Sequence, residues 1–302
     1  MTSGNPQRSS DAARARAQFY TPRIAFDRPV PEIAATAFTD ERDRAFAPAA
    51  PTGFVVLDRS GLLGTEWPAT TPTLLARYLV LHEGQDFESH LFSSGEVYYV
   101  LRGTGRTHSA GETVRWGPGD VFCLGGGARC EHEADSPAVL LLITDEPALS
   151  YLRVRPVEPG PETIHPTVFD ADRIERCLRE VHARGGAQRS AGKSVIFLTE
   201  LMAGRRVTTP TILASVNTLE PGGDQRAHRH SSVALTLSIA GDGVYSMVDG
   251  RRIDWQPDVV MVTPPGAVHS HHNRGTGLMR SFVVQDTALH TELRTTGFRW
   301  TE

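Results

Sequence analysis

The sequence predicts an all-β protein made of two tandem β domains of one design, joined by a short helix. Three observations support this. Short Val-, Leu- and Tyr-rich runs punctuated by Gly and Pro recur from about residue 51 onward, the pattern of a sandwich or barrel. Only one stretch, Asp170 to Ala183, carries a clear helical period. The β pattern also repeats itself. Thr70-Thr71-Pro72-Thr73-Leu74-Leu75-Ala76 returns 138 positions later as Thr208-Thr209-Pro210-Thr211-Ile212-Leu213-Ala214. The same offset carries Gly84 onto Gly222, His90 onto His228 and Gly103 onto Gly241. After one single-residue slip, an offset of 139 carries Trp116 onto Trp255, Cys130 onto His269 and His132 onto His271. Solenoid units repeat every ~20–50 residues, so a period this long marks duplicated domains.

Taken in order, residues 1–50 are polar and then proline-rich, with Pro22, Pro29, Pro31 and Pro48 and little periodicity. They are expected to form an N-terminal arm on the body or on a neighbouring subunit, with disorder as the alternative for the first part. Residues 51–155 form the first β domain, with strands at Gly53 to Leu57, Leu74 to Leu81, Val97 to Leu101 and Val139 to Thr144. Residues 156–189 form a linker. Within it Ile174, Cys177, Leu178 and Val181 fall on one helical face, and Gly185-Gly186 supplies a stop; the helix reads as a solvated connector. Residues 190–302 form the second β domain. Trp116 and Trp255, at matching places in the two copies, read as repeat core.

Chemistry concentrates in the second copy, in His228-Arg229-His230 and in His269-Ser270-His271 followed by His272-Asn273. Side chains two apart on a strand share a face, so each pair presents two imidazoles to one side of a sheet. If the two strands are neighbours, three or four nitrogens converge, and neutral imidazole is the commonest ligand of first-row metals.

The first copy reads Gly84, His90-Leu91-Phe92, Glu96 and Gly103, then Gly119-Asp120, Gly125-Gly126-Gly127 and Cys130. The second reads Gly222, His228-Arg229-His230 and Gly241, then Pro265-Gly266-Ala267-Val268-His269 and Asn273. Both are similar to the two signature motifs of cupins, G-x5-H-x-H-x3,4-E-x6-G and G-x5-P-x-G-x2-H-x3-N. The resemblance covers roughly residues 70–145 and 208–285. It implies two jelly-roll (double-stranded β-helix) barrels with the motif strands side by side and their histidines turned inward.

Within tandem cupins the second copy most resembles the gentisate 1,2-dioxygenases and their salicylate and 1-hydroxy-2-naphthoate relatives. Those enzymes hold Fe(II) with three histidines and lack the cupin glutamate; here Ala234 stands where it would be. The resemblance implies His228, His230 and His269 as metal ligands. His271 or His272 would accept the substrate's proton. The family's arginine for the substrate carboxylate is replaced by Thr236, so Arg226, Arg229 or Arg280 would have to bind that group. The complete ligand set lies in the second copy, whereas the family's iron is usually assigned to the first. The first copy, with Phe92 and Cys130 at ligand positions, is either a degenerate cupin or an altered site built from His90, Glu96, Cys130 and His132.

The implied function is an Fe(II)-dependent ring-cleaving dioxygenase acting with O2 on a small hydroxylated aromatic, gentisate- or salicylate-like. Two alternatives are a cupin isomerase, decarboxylase or lyase without O2 chemistry and a non-enzymatic small-molecule binder. Composition fits an ordinary globular chain: 39% hydrophobic, 22% charged and a formal charge of −4. That balance gives no basic footprint for nucleic acid. The chain has no apolar run of membrane-spanning length and its N-terminus does not read as a secretory signal, so a cytoplasmic location is expected, and the cupin resemblance implies a homodimer or homotetramer. Cys123, Cys130 and Cys177 have no disulfide-framework spacing, and Cys123 and Cys130 read as small buried residues.

Overall fold

The computed structural model describes residues 11–25, 31–156, 164–183 and 193–301. Parts of the expected arm and linker, with the Gly185-Gly186 stop, lie outside them. The chain divides into two compact units, Met1–Glu32 and Ile33–Glu302. In the first, short helices run over Asp11–Ala15 and Pro22–Ala25. The second holds all the strands of the described residues.

Each copy is a pair of antiparallel sheets, and the two copies share one strand order. In the first, the strands Leu75–Leu81, Ala138–Thr144, Gly95–Arg102 and Val121–Gly125 form the centre of a six-stranded sheet. The opposing sheet is Asp86–His90, Arg129–Ala134, Gly105–Ser109 and Glu112–Trp116. In the second copy, Leu213–Leu219, Met279–Gln285, Ala234–Ala240 and Val260–Thr263 repeat the first arrangement. The strands His228–His230, His269–Asn273, Val244–Val248 and Arg251–Asp254 repeat the other. The register is conserved as well, Leu75 facing Thr144 as Leu213 faces Gln285. Both copies carry a register shift at the same place, between Val100 and Arg102 and between Ser238 and Ala240. This is the two-cupin, jelly-roll fold expected from the motifs.

The two barrels share a core. Tyr99 lies 5.1 Å from Phe282 between ring centroids, and Phe197 lies 4.9 Å from Phe169. Two reciprocal hydrogen bonds cross the seam. Thr73 donates to Asp286 at 2.8 Å, and its repeat equivalent Thr211 donates to Asp145 at 2.9 Å. Residues 33–50 pack on this body: Phe38 and Ala45 are fully buried, and Phe38 donates its N–H to Val260.

The helix occupies Ala171–Ala183. Its start has a local cause, because Asp170 accepts the Arg173 backbone N–H at 2.8 Å, satisfying a donor the first turn leaves free. The expectation of a solvated connector holds for one face only. Ile174 and Leu178 are buried, and the helix packs on the edge strand Lys193–Phe197. Replacing the cap, Asp170→Ala, is expected to cost about 1 kcal/mol, read as a lower urea midpoint at unchanged slope.

Candidate metal centre

The strands that carry the histidines are direct neighbours. His228 faces His269 across the antiparallel pair, and their ring centroids are 4.2 Å apart. His230, two residues along the same strand, brings its ring to 4.7 Å from that of His269. One ligand atom from each of the three lies within 4.8 Å of the others.

Hydrogen bonds at the other ring nitrogen settle the tautomers. Nδ1 of His228 meets the Arg226 carbonyl at 3.0 Å, Nδ1 of His230 the Ser232 carbonyl at 2.8 Å, and Nδ1 of His269 the Ala267 carbonyl at 3.0 Å. A carbonyl only accepts, so each Nδ1 bears the proton and donates, and each Nε2 keeps its lone pair. Metal-binding histidines are oriented in this way. Burial lowers the pKa of His228 and His230. That of His269 is driven down to about 3, mainly by burial, with further repulsion from the neighbouring imidazoles. At neutral pH all three are neutral, and the trio fits a first-row divalent ion.

The trio opens on a cavity of about 380 Å³. His271, Thr236, Asn217, Gln285 and Phe298 are among its walls, and among the described residues neither an arginine nor a lysine is. His271 is held by a hydroxyl relay: Ser246 Oγ lies 2.8 Å from its Nδ1 and receives the Trp255 indole N–H at 2.8 Å. The first copy repeats the relay as Trp116, Thr107 and His132. The two tryptophans are core residues, as expected, but each also anchors a histidine. Burial pushes the His271 pKa down to about 3, making it a weak proton acceptor at neutral pH.

Four of the expected residues stand elsewhere, Arg229 among them, exposed and not on the cavity wall. His272 alternates to the opposite face of its strand, stacks on Tyr245 at 4.7 Å and meets Asp224 at 2.5 Å. Arg280 has the opposite strand parity to the cavity-lining Val283 and Gln285, and its guanidinium forks onto Glu175 of the helix. Arg226 lies over the Trp300 ring at 5.3 Å and does not line the cavity. Thr236 does line it.

Gln285, Asn217, His290 and Phe298 were not singled out from the sequence. For the first two a signal existed, an amide side chain on a strand face shared with Met279 and Val283, or with Leu213 and Leu219. Phe298 arrives from far away, on the strand Phe298–Trp300 that pairs with the His228–His230 strand.

The first copy brings no such ligand set together. Among the described residues the His228, His230 and His269 trio is the group found with metal-ligand spacing. His90 Nε2 bonds the Gly127 carbonyl at 2.9 Å, and Cys130, fully buried like Cys123, donates to Ser109. Glu96 is fully buried and accepts the Tyr98 hydroxyl at 2.5 Å.

Residues 215–285 match the cupin domain model, and residues 75–202 match a model described as the AraC-like ligand binding domain. The 5-aminosalicylate 1,2-dioxygenase of a Comamonas species is 38% identical over 117 residues, covering 37% of this chain and 31% of that protein. A gentisate 1,2-dioxygenase from a Haloferax species is 31% identical over 83 residues, covering 28% of this chain and 23% of that one. The matched stretches thus span a third or less of these relatives' length. Salicylate 1,2-dioxygenase from Pseudoaminobacter salicylatoxidans, solved as adducts with gentisate, superposes with a TM-score of 0.78 at 15% identity. That superposition covers 99% of this chain and 97% of the other, showing a common fold.

Proposed function

We propose that this tandem-cupin chain, related in sequence to ring-cleaving dioxygenases of gentisate and 5-aminosalicylate, is an Fe(II)-dependent ring-cleaving dioxygenase. Its substrates are O2 and a small hydroxylated aromatic of the gentisate or salicylate kind. The observation that carries this reading is the convergence of three Nε2 lone pairs, with no carboxylate among them, on the wall of a cavity of suitable size.

His228, His230 and His269 would hold the iron. Bound there, it supplies a Lewis acid and a template that brings an aromatic chelator and O2 together. The chain's own residues do the rest. The three backbone carbonyls fix the ligand imidazoles in one tautomer. Ser246 and Trp255 hold His271 against the cavity as a neutral hydrogen-bonding wall, where it orients the substrate better than it takes a proton. Phe298, its ring 5.1 Å from His228, helps to cover the mouth and keep water out. With no guanidinium on the wall among the described residues and Thr236 in the arginine's place, the substrate's negative charge is met at the three-histidine pole.

The working form on this reading is a cytoplasmic homodimer or homotetramer. Val168 and Ile196, exposed on edge strands, are apolar surface that such an assembly would cover. No helix among the described residues is long and apolar enough to cross a membrane.

The reading is tested by anaerobic purification with metal analysis, followed by oxygen-electrode traces with gentisate, salicylate, 5-aminosalicylate, 1-hydroxy-2-naphthoate and 2-aminophenol. Iron bound through the three histidines and O2 uptake with at least one of these compounds is the expected result. Iron-loaded protein that consumes no O2 with any of them would rule out ring cleavage and favour a cupin activity without O2.

A further inference from the structure

Gln285 sits where the three-histidine pole meets the rest of the cavity wall. Its Nε2 lies 3.3 Å from Nε2 of His230. Because Nδ1 of His230 donates to the Ser232 carbonyl, Nε2 is a bare lone pair, and only the NH2 end of the amide can face it. The other end is held in the same sense, since Gln285 Oε1 accepts the Thr287 hydroxyl at 2.9 Å. Both contacts therefore agree on an amide that turns its NH2 end toward the pole.

The register explains why this space is open to it. Gln285 is the cross-strand partner of Ala234, and Ala234 occupies the place of the first copy's Glu96. In the first copy Glu96 faces Thr144 in the same pairing. Directly opposed side chains on a sheet have Cβ atoms about 5 Å apart, within reach of a glutamine. The second copy has thus exchanged an acceptor carboxylate on one strand for a donor amide on the next.

We propose that Gln285 is a substrate-binding residue that donates a hydrogen bond to an anionic oxygen of the aromatic substrate where it meets the three-histidine pole. This rests on the metal reading given above. Once the His230 lone pair is engaged by a metal, the Gln285 NH2 loses the acceptor it has now. Gln285 lines the cavity, and a donor that has lost its partner there is met best by an accepting atom, so a phenolate or catecholate oxygen arriving beside His230 is favoured over a ligand atom that cannot accept. Gln285 then selects for oxygen anions at this position without adding a charge to the cavity.

The test uses 4-nitrocatechol, whose absorbance reports its ionised, bound form, titrated anaerobically into metal-loaded full-length protein. Wild type is compared with Gln285→Leu, which removes the donors, and Gln285→Glu, which keeps the shape and replaces donors by an acceptor. Metal content is measured on each sample. With the metal content unchanged, binding is expected to weaken about tenfold in Gln285→Leu and further in Gln285→Glu, about 1.4 kcal/mol per tenfold. Wild-type affinity in both variants overturns the proposal. So does wild-type protein that retains metal but leaves nitrocatechol unbound, while the metal centre stands. If wild type retains no metal, the underlying reading fails and the role of Gln285 fails with it.

Discussion

His269→Ala is expected to abolish metal retention and with it O2 uptake, a loss of more than about 100-fold. Even partners that only orient a metal ligand cost 10–100-fold when removed, and His269 is itself placed as a ligand. It faces His228 across the strand pair and touches both other imidazoles, so its loss leaves two nitrogens for an ion that needs at least three protein ligands. The fold should survive. His269 lines a cavity, and its neutral ring gives up one hydrogen bond to a carbonyl. His272→Ala is the matched control, three residues along the same strand but on its outer face. Metal analysis and circular dichroism on both variants check the expectation. Full iron occupancy in His269→Ala would refute the assigned centre.

Glu96→Gln should change how stability depends on pH. The Glu96 carboxyl is fully buried, and burial pushes its pKa from 4.5 up to about 7, against the opposing hydrogen bond from Tyr98. One of its oxygens, Oε1, has no hydrogen-bond partner among the described residues. Between pH 4.5 and 7 the folded protein therefore holds a proton that the unfolded chain has released. Stability from this group is fully present below pH 4.5 and is lost as pH rises through 7. The glutamine variant keeps an acceptor for Tyr98 and has nothing to ionise. Its stability relative to wild type should rise by on the order of 3 kcal/mol from pH 4.5 to pH 8. The buried histidines act in the opposite sense. His132, lowered to about 4, and His269 and His271, lowered to about 3, take stability away as pH falls below 6.5. Because both proteins contain them, they cancel in the difference. Urea midpoints for the two proteins at several pH values, in one metal state, provide the measurement. Parallel curves would mean that Glu96 does not titrate in this range.

Much of the architecture was legible because duplication wrote it twice. Repeated Thr-Thr-Pro-Thr blocks, matched glycines and matched tryptophans marked two copies of one barrel, and the His-x-His pairs marked the richer copy. The helix was legible within one residue because its cap, Asp170, and its apolar face are both local features. The role of its charges was not. Glu175 looked solvent-facing, and only the packed structure brings Arg280 to it from 105 positions away.

The sequence by itself determined which side chains share a face, because the two-residue period of a strand is a local property. That was enough to group His228 with His230 and His269 with His271. It should also have separated His272 from His271, since neighbours on a strand cannot both face inward. Tertiary structure alone decided which strands adjoin, which carbonyls fix the imidazole tautomers, and what fills the space left at Ala234. Gln285 reaches that space from 51 residues further along, through a pairing that depends on the closure of the sheet. Distances of that kind follow from how sheets close around a core, and strand periodicity does not encode them.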